Sequence, residues 1–155
     1  MTPAIKLLEK HNIAHTVHSY QHQQNAASYG NEAVSALGLD SARAFKTLVV
    51  ELSNGELAVG VVPVSGQLSM KSIARACASK KATMAKPTTV ERATAYVLGG
   101  VSPLGQKQNL KTIIDESSQN FESIFVSAGK RGLEIELSAT DLLALTKGEF
   151  ANIAV

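Results

Sequence analysis

Two apolar, β-branched runs, residues 45–52 and 57–62, flank the tripeptide Ser53-Asn54-Gly55. An Asn-Gly pair between such runs is a strong short-range signal for an antiparallel hairpin. Whatever else the chain does, it must build a sheet around this hairpin. The surrounding elements are short and of mixed type. Thr2 before Pro3, followed by Ile5, Leu7 and Leu8, predicts a capped amphipathic helix ending near His11. Residues 14–20 alternate and predict a strand, then a Gln-rich loop. Residues 31–37, stopped by Gly38, predict a helix. Ser69 predicts the cap of a helix running to Cys77, and Thr88 with Glu91 has capping-box spacing for another. Residues 95–98, 110–114, 124–126 and 133–137 read as strands, the last pair turning at Gly129-Lys130-Arg131-Gly132. Ser138 then caps a helix over 139–146 that stops at Gly148. Short strands mixed irregularly with short helices predict an α+β fold.

The 155 residues amount to one ordinary domain, so a single domain over 1–155 is expected. Apolar residues make up 45% and charged residues 18%, too apolar for a disordered chain. No stretch approaches the ~20 apolar residues of a membrane span, and the start shows no basic segment leading into an apolar one. A cytoplasmic protein with no membrane partner is expected. One cysteine excludes an internal disulfide and a cysteine-built zinc site. Aromatic residues at 5%, with no tryptophan, argue against a base-stacking surface. Charge is unevenly placed. From Leu57 to Ile114, eight basic residues (Lys71, Arg75, Lys80, Lys81, Lys86, Arg92, Lys107, Lys111) face one acid, Glu91, a net +7. The remainder holds seven basic and twelve acidic residues, a net −5. That segregation fits either a face for a polyanion or a solvated surface.

Few residues carry chemistry on spacing alone. His11, His15, His18 and His22 are close in sequence, but they span helix end, strand and loop with no acid between them. A metal site is therefore not expected. Cys77 falls on an apolar helix face, where a thiol behaves as a small hydrophobe. No serine lies in a nucleophile elbow. The segment Gly99-Gly100-Val101-Ser102-Pro103-Leu104-Gly105 can bring backbone N–H groups against a ligand oxygen or form a structural turn. The Gly129–Gly132 tip can touch phosphate or merely turn the chain. Lys46, inside an apolar strand pattern, either snorkels to water or directs its charge into a cleft.

Four blocks in this order resemble the YbaK family of free-standing aminoacyl-tRNA editing proteins. They are Met1-Thr2-Pro3-Ala4-Ile5, Phe45-Lys46-Thr47-Leu48, the Gly99 segment through Gln106-Lys107, and Val126-Ser127-Ala128-Gly129-Lys130-Arg131-Gly132-Leu133. Within the family the match is to the bacterial Cys-tRNA(Pro) deacylases. The editing insertion of prolyl-tRNA synthetase, which acts on Ala-tRNA(Pro), is the nearest competitor. The resemblance implies a mixed β-barrel-like sheet flanked by short helices, with a cleft on one side. It implies release of a wrong amino acid from the tRNA 3′ end without a cofactor, and a ternary complex with prolyl-tRNA synthetase. It does not imply a DNA partner. Lys46 matches the family's key lysine, and Gly99 and Gly100 match its pocket glycines. Val101 joins these as a backbone donor to the developing oxyanion. Tyr20, Thr47, Ser102, Ser127, Gly129 and Lys130 are carried over as substrate contacts. The family reads Ser-Gly-Gly-Lys where this chain has Ser127-Ala128-Gly129-Lys130.

The competing readings are a non-catalytic tRNA- or synthetase-binding module and a small-molecule hydrolase. The nucleophile is open between water and, for a cysteinyl ester, the substrate's own thiol.

Overall fold

The hairpin forms where its turn residues place it, and the other strands assemble on its two edges. A computed structural model describes residues 1–22 and 29–155. The order is α1 (Pro3–Lys10), β1 (Thr16–Ser19), α2 (Tyr29–Leu37), β2 (Phe45–Leu52), β3 (Leu57–Pro63), α3 (Met70–Ala76), β4 (Ala82–Met84), α4 (Pro87–Thr94), β5 (Lys111–Asp115), a 3₁₀ turn (Glu116–Asn120), β6 (Ile124–Ser127), β7 (Leu133–Leu137), α5 (Ala139–Thr146) and β8 (Glu149–Ala151). The expected Gln-rich loop falls largely on residues 23–28, outside the described residues.

Two sheets result. One has the order β1-β7-β6, the other β4-β2-β3-β5-β8. The hairpin partners β2 and β3 run antiparallel, whereas β3–β5 and β5–β8 are parallel. This is the expected α+β fold of mixed sheets flanked by short helices, and the sheets do not close into a barrel. Among the described residues they meet at one bridge, Ala44 to Phe125, with the Phe125 amide donating to the Arg43 carbonyl at 3.1 Å.

The gap has a definite place along β2. Its inner edge pairs with β3 from Phe45 to Glu51. Its outer edge pairs with β4 only from Val50 to Leu52, extended by the Ala85 amide donating to the Val49 carbonyl at 3.0 Å. Between Ala44 and Val49 that outer edge has no strand partner among the described residues. In an antiparallel ladder, alternate residues direct both backbone groups to the same side. Val49 directs its carbonyl outward, so Thr47, two residues earlier, presents its own N–H and C=O to the gap.

The two faces of β2 feed two cores. Phe45 and Val49 pack with Val59, Val61, Ile114, Val126, Ile135, Leu8 and Leu142. Val50 and Leu52 pack with Ala58, Val62, Ile73, Ile113 and Ile153. Helix capping follows the sequence for α1, α3 and α5, where Thr2, Ser69 and Ser138 accept amide hydrogens. It differs at α4. Pro87 fixes the first helical turn, Lys86 stands at the N-cap without a side-chain bond, and Thr88 lies inside the helix. Residues 95–98 do not form a strand. Ala95 takes the left-handed conformation as the cap of α4, and Tyr96 buries itself with its hydroxyl donating to the Leu104 carbonyl at 2.6 Å. Cys77 is the C-cap of α3, half-buried against the second core.

The strands β4 and β8 and the 3₁₀ turn escape the sequence reading because each is too short for a period. The segment after β8 is held through Asp115, whose buried carboxylate accepts the Ile153 and Ala154 amides, each at 3.0 Å, together with the Ser117 hydroxyl. Asp115→Ala leaves a fully buried amide at Ile153 without a partner, a loss of roughly 1–3 kcal/mol. It should lower the urea midpoint of unfolding without changing the slope of the transition. An unchanged midpoint would show that the C-terminal segment does not depend on this carboxylate.

Candidate functional site

The gap in β2 opens into a cavity of about 350 Å³. Its wall includes Lys46, Thr47 and Leu48 from β2, Tyr29, Gly30 and Ala33 from α2, and Leu98, Gly99 and Val101 from the glycine segment. Tyr20, Ser127, Lys130 and Glu134 complete it from the smaller sheet and its hairpin. Of the residues anticipated from sequence, Lys46, Gly99, Val101, Tyr20, Thr47, Ser127 and Lys130 are brought together here. Gly100, Ser102 and Gly129 are not on the wall.

Lys46 is half-buried, and no hydrogen bond or ion pair engages its ammonium among the described residues. Its strand lies at the open slot, so of its two sequence readings the cleft is the one the fold realises. The hydroxyl oxygen of Thr47 is buried and has no partner among the described residues. With its outward backbone groups, Thr47 gives the slot three unengaged polar functions.

The glycines divide their work. Gly99 has φ +91°, and a Cβ there would lie 2.9 Å from the Tyr29 ring. Conformation and space both require glycine. Gly100 supports from below. A Cβ would stand 3.1 Å from the Lys130 Cα and the Arg131 nitrogen, and its amide is spent on the Val97 carbonyl at 2.9 Å. The anticipated oxyanion donor at Gly100 is therefore already engaged, whereas the Gly99 and Val101 amides have no partner among the described residues. Gly129, with φ +99°, seats its backbone against Tyr96, where a Cβ would come within 2.5 Å of the ring. Its amide donates to the Ser127 hydroxyl at 3.1 Å. Ser102 is fully buried and accepts the Leu104 amide at 3.2 Å, a brace for the loop rather than a contact in the cavity. Ala128, which replaces the family's glycine, is buried at negative φ, and its carbonyl accepts the Thr2 hydroxyl. The departure costs the backbone nothing.

Sequence reasoning missed Glu134. The alternation of β7 did not single it out, but β7 lies between β1 and β6 and Glu134 lines the cavity. Glu134 is 8% exposed, opposite His18 and Ser127 in the ladder. Burial pushes its carboxyl up to about 8. The phenol of Tyr20 is also pushed up, mainly by burial, with Glu134 and Glu32 adding to the shift. The rim is charged differently. Arg131 pairs with Glu32 at 3.2 Å and stacks 4.6 Å above the Tyr29 ring.

The histidines scatter. His11 caps α1, and His15 meets the Ile13 carbonyl at 2.7 Å. His18 pairs with Glu136 at 2.9 Å, and Arg43 holds the other Glu136 oxygen. Hydrogen bonds from Ser123 and then His18 hold that carboxyl below its usual value. Among the described residues no group of three metal-ligating side chains forms. Cys77 lies in the second core, and burial raises its thiol.

Comparison with known proteins places this geometry. The family model for the aminoacyl-tRNA editing domain matches residues 23–145. The chain belongs to this family. A protein of Enterococcus faecalis (strain ATCC 700802 / V583), assigned as a Cys-tRNA(Pro)/Cys-tRNA(Cys) deacylase and called EbsC, is 36% identical over 152 residues, covering 98% of this chain and 92% of that one. A solved structure assigned as a trans-editing enzyme for prolyl-tRNA synthetase superposes with a TM-score of 0.83 at 21% identity, over 100% of this chain and 99% of that one. A hypothetical protein of known structure superposes with a TM-score of 0.88 at 19% identity, over 99% and 100%. These two likenesses show that the overall fold is shared. Among the described residues no helix is long and apolar enough to cross a membrane.

Glu134 yields a pH prediction. An acid raised in the folded state binds more protons there than when unfolded, so stability falls as pH rises from its unfolded value of 4.5 to about 8. Glu134→Gln removes that fall. Thermal unfolding of the wild type and the variant should diverge in favour of the variant above pH 8 and converge below about pH 4.5. Parallel curves throughout would mean that Glu134 is solvated.

Proposed function

We propose that this chain is an aminoacyl-tRNA deacylase acting in trans, with residues 1–155 working as one editing unit in the cytoplasm. The amino acid released is cysteine attached to tRNA(Pro). The named activity of the 36% identical relative supports the substrate. The observation that carries the chemistry is the meeting, in one cavity, of Lys46, the open edge at Thr47 and the unengaged amides of Gly99 and Val101.

The substrate is an ester between an amino acid and a ribose hydroxyl. The cavity offers each part a partner. Lys46 would hold the terminal phosphate or ribose. The Gly99 and Val101 amides would receive the oxyanion as the carbonyl becomes tetrahedral. Glu134, its carboxyl raised by burial, would ionise against the substrate's ammonium group, since a nearby cation favours the carboxylate. Ala33, Val64 and Leu98 supply an apolar wall for a small side chain. Tyr20 and Ser127 would hold its polar end, and Lys130 would stand at the rim toward the nucleic acid.

None of the described histidines lines this cavity, and Cys77 lies in the other core. The cavity's serine, Ser127, already accepts the Gly129 amide. Water and the substrate's own thiol remain as attacking groups, and we infer that for a cysteinyl ester it is the thiol, which is held beside its own carbonyl. A thiol with an ordinary pKa near ~8.5 is a few per cent thiolate at neutral pH. Its sulfur attacks the carbonyl carbon, the ester C–O bond breaks, and the ribose oxygen leaves with the electron pair and takes a proton. Water then opens the thiolactone. A synthetase that supplies tRNA selectivity in a ternary complex fits a site this small.

Two measurements test the proposal. Lys46→Ala should lower kcat/KM for Cys-tRNA(Pro) by ~100-fold or more while the fold is kept, and Lys46→Arg should retain part of the activity. Full activity in Lys46→Ala would remove Lys46 from the site. Cysteinyl and seryl esters of the same tRNA, compared side by side, should differ by well over tenfold in favour of cysteine. Equal rates would make water the nucleophile and leave the cavity as a size filter.

A further inference from the structure

The basic residues that separate in sequence also separate in space, and the fold leads one group of them to the cavity. The strand β4 is the outer edge of the larger sheet. Lys80 and Lys81 precede it, and the Lys81 carbonyl accepts the Ser53 amide at 3.0 Å. At its other end, the bond from Ala85 to Val49 brings Lys86 beside Leu48, which lines the cavity. Lys81 to Lys86 is about 16 Å of extended chain, ending at the open slot. Helix α3 packs against β4 and carries Lys71 and Arg75 four residues apart on one face. Helix α4 continues from Lys86 past Arg92 and returns the chain to Leu98 and Gly99 in the cavity wall.

All six cations are exposed, and none enters an ion pair among the described residues. Acids near them are Glu51 opposite Thr83, Glu91 on α4, and Glu149 close to Cys77 at the end of α3. Lys111 is elsewhere, on β5 beyond β3, in the wall of a second, polar cavity. Lysines on an edge strand also guard against strand-to-strand aggregation. That role calls for charge at the edge. It does not require the charge to continue across two helices and arrive at a ligand cavity.

We propose that the β4 edge with the exposed sides of α3 and α4 is a phosphate track for the base-paired arm of an RNA whose 3′ end enters the cavity. Lys86 stands nearest the cavity and meets the phosphates closest to the 3′ end. Lys81, Lys80 and Arg75 follow, a few base pairs further along. Arg92 flanks the mouth. Such contacts position the RNA without reading its sequence. The surface would thus accept arms of differing sequence and leave selection to the cavity or to a partner.

The proposal rests on the deacylase reading for the nature of the cavity's ligand, so its test must not depend on turnover. Binding of uncharged full-length tRNA is measured against salt for the wild type and for Lys80→Ala, Lys81→Ala and Lys86→Ala combined. Each phosphate contact contributes roughly 0.7–0.9 to the slope of log affinity against log salt. The triple variant should therefore bind at least tenfold more weakly at low salt, with a slope shallower by about 2–3. In parallel, hydrolysis of cysteinyl-adenosine, which has no paired arm, should be the same for both proteins. An unchanged slope would overturn the track and leave the lysines as edge guards. So would equal loss on tRNA and cysteinyl-adenosine, or weakened binding to polyglutamate with tRNA binding intact. If neither protein cleaves any ester, the deacylase reading fails, while the salt slope still decides whether this face holds RNA.

Discussion

The incomplete pairing of β2 is the constraint on which the rest of the structure depends. A strand with β3 on one side and short neighbours at each end of the other leaves a window at residues 45–48. Backbone groups there must be met by water or a ligand, because an unmet buried amide or carbonyl costs as much as a lost hydrogen bond. The window therefore has to be a cavity. Another strand paired along this edge would cover the window and abolish the site. Lys46 lies in the middle of that window, which is why an otherwise apolar strand can hold a lysine.

Around the window, rigidity comes from backbone packed on backbone and ring. Gly100 lets the glycine segment lie directly on the Lys130–Arg131 turn, and Gly129 lets that turn lie on Tyr96. Tyr96 is tied to Leu104, and Thr2 at the start of α1 is tied to Ala128. The helix cap, glycine loop and hairpin are thus tied together, and the windowed strand meets the loop and hairpin at the cavity. Donors held this firmly need little reorganisation when charge develops on a bound carbonyl, which is the condition for electrostatic catalysis by backbone groups.

The electrostatics of the site follow from burial more than from pairing. Glu134 is raised by desolvation alone, and Lys46 has no counter-ion among the described residues. A cavity that keeps an acid neutral and an ammonium unpaired is suited to a ligand that brings both an anion and a cation, as an aminoacylated nucleotide does. The outer surface is the opposite case. Its cations are exposed and enter no ion pair among the described residues, as suits a weak, sequence-independent polyanion contact.

Much of this was legible in the residues. Asn54-Gly55 specified the hairpin, Thr2, Ser69 and Ser138 specified three helix starts, and Lys46 within 45–50 announced an unusual strand, because these signals are local and depend on backbone preference. The capping of α4 was misread because Pro87 outranks Thr88 in setting the first turn. Residues 95–98 were misread because apolar character fits a buried tyrosine and an exposed rim as well as it fits a strand. Sequence alone could not say that Gly100 and Ser102 brace the loop while Gly99 and Val101 face the cavity, since neighbours on a loop look alike until something packs against them. It could not find Glu134, an acid in an ordinary alternating strand. Which side of β7 is dry, and where the sheets fail to meet, are decided by pairings between residues far apart in the chain, and those exist only in the folded protein.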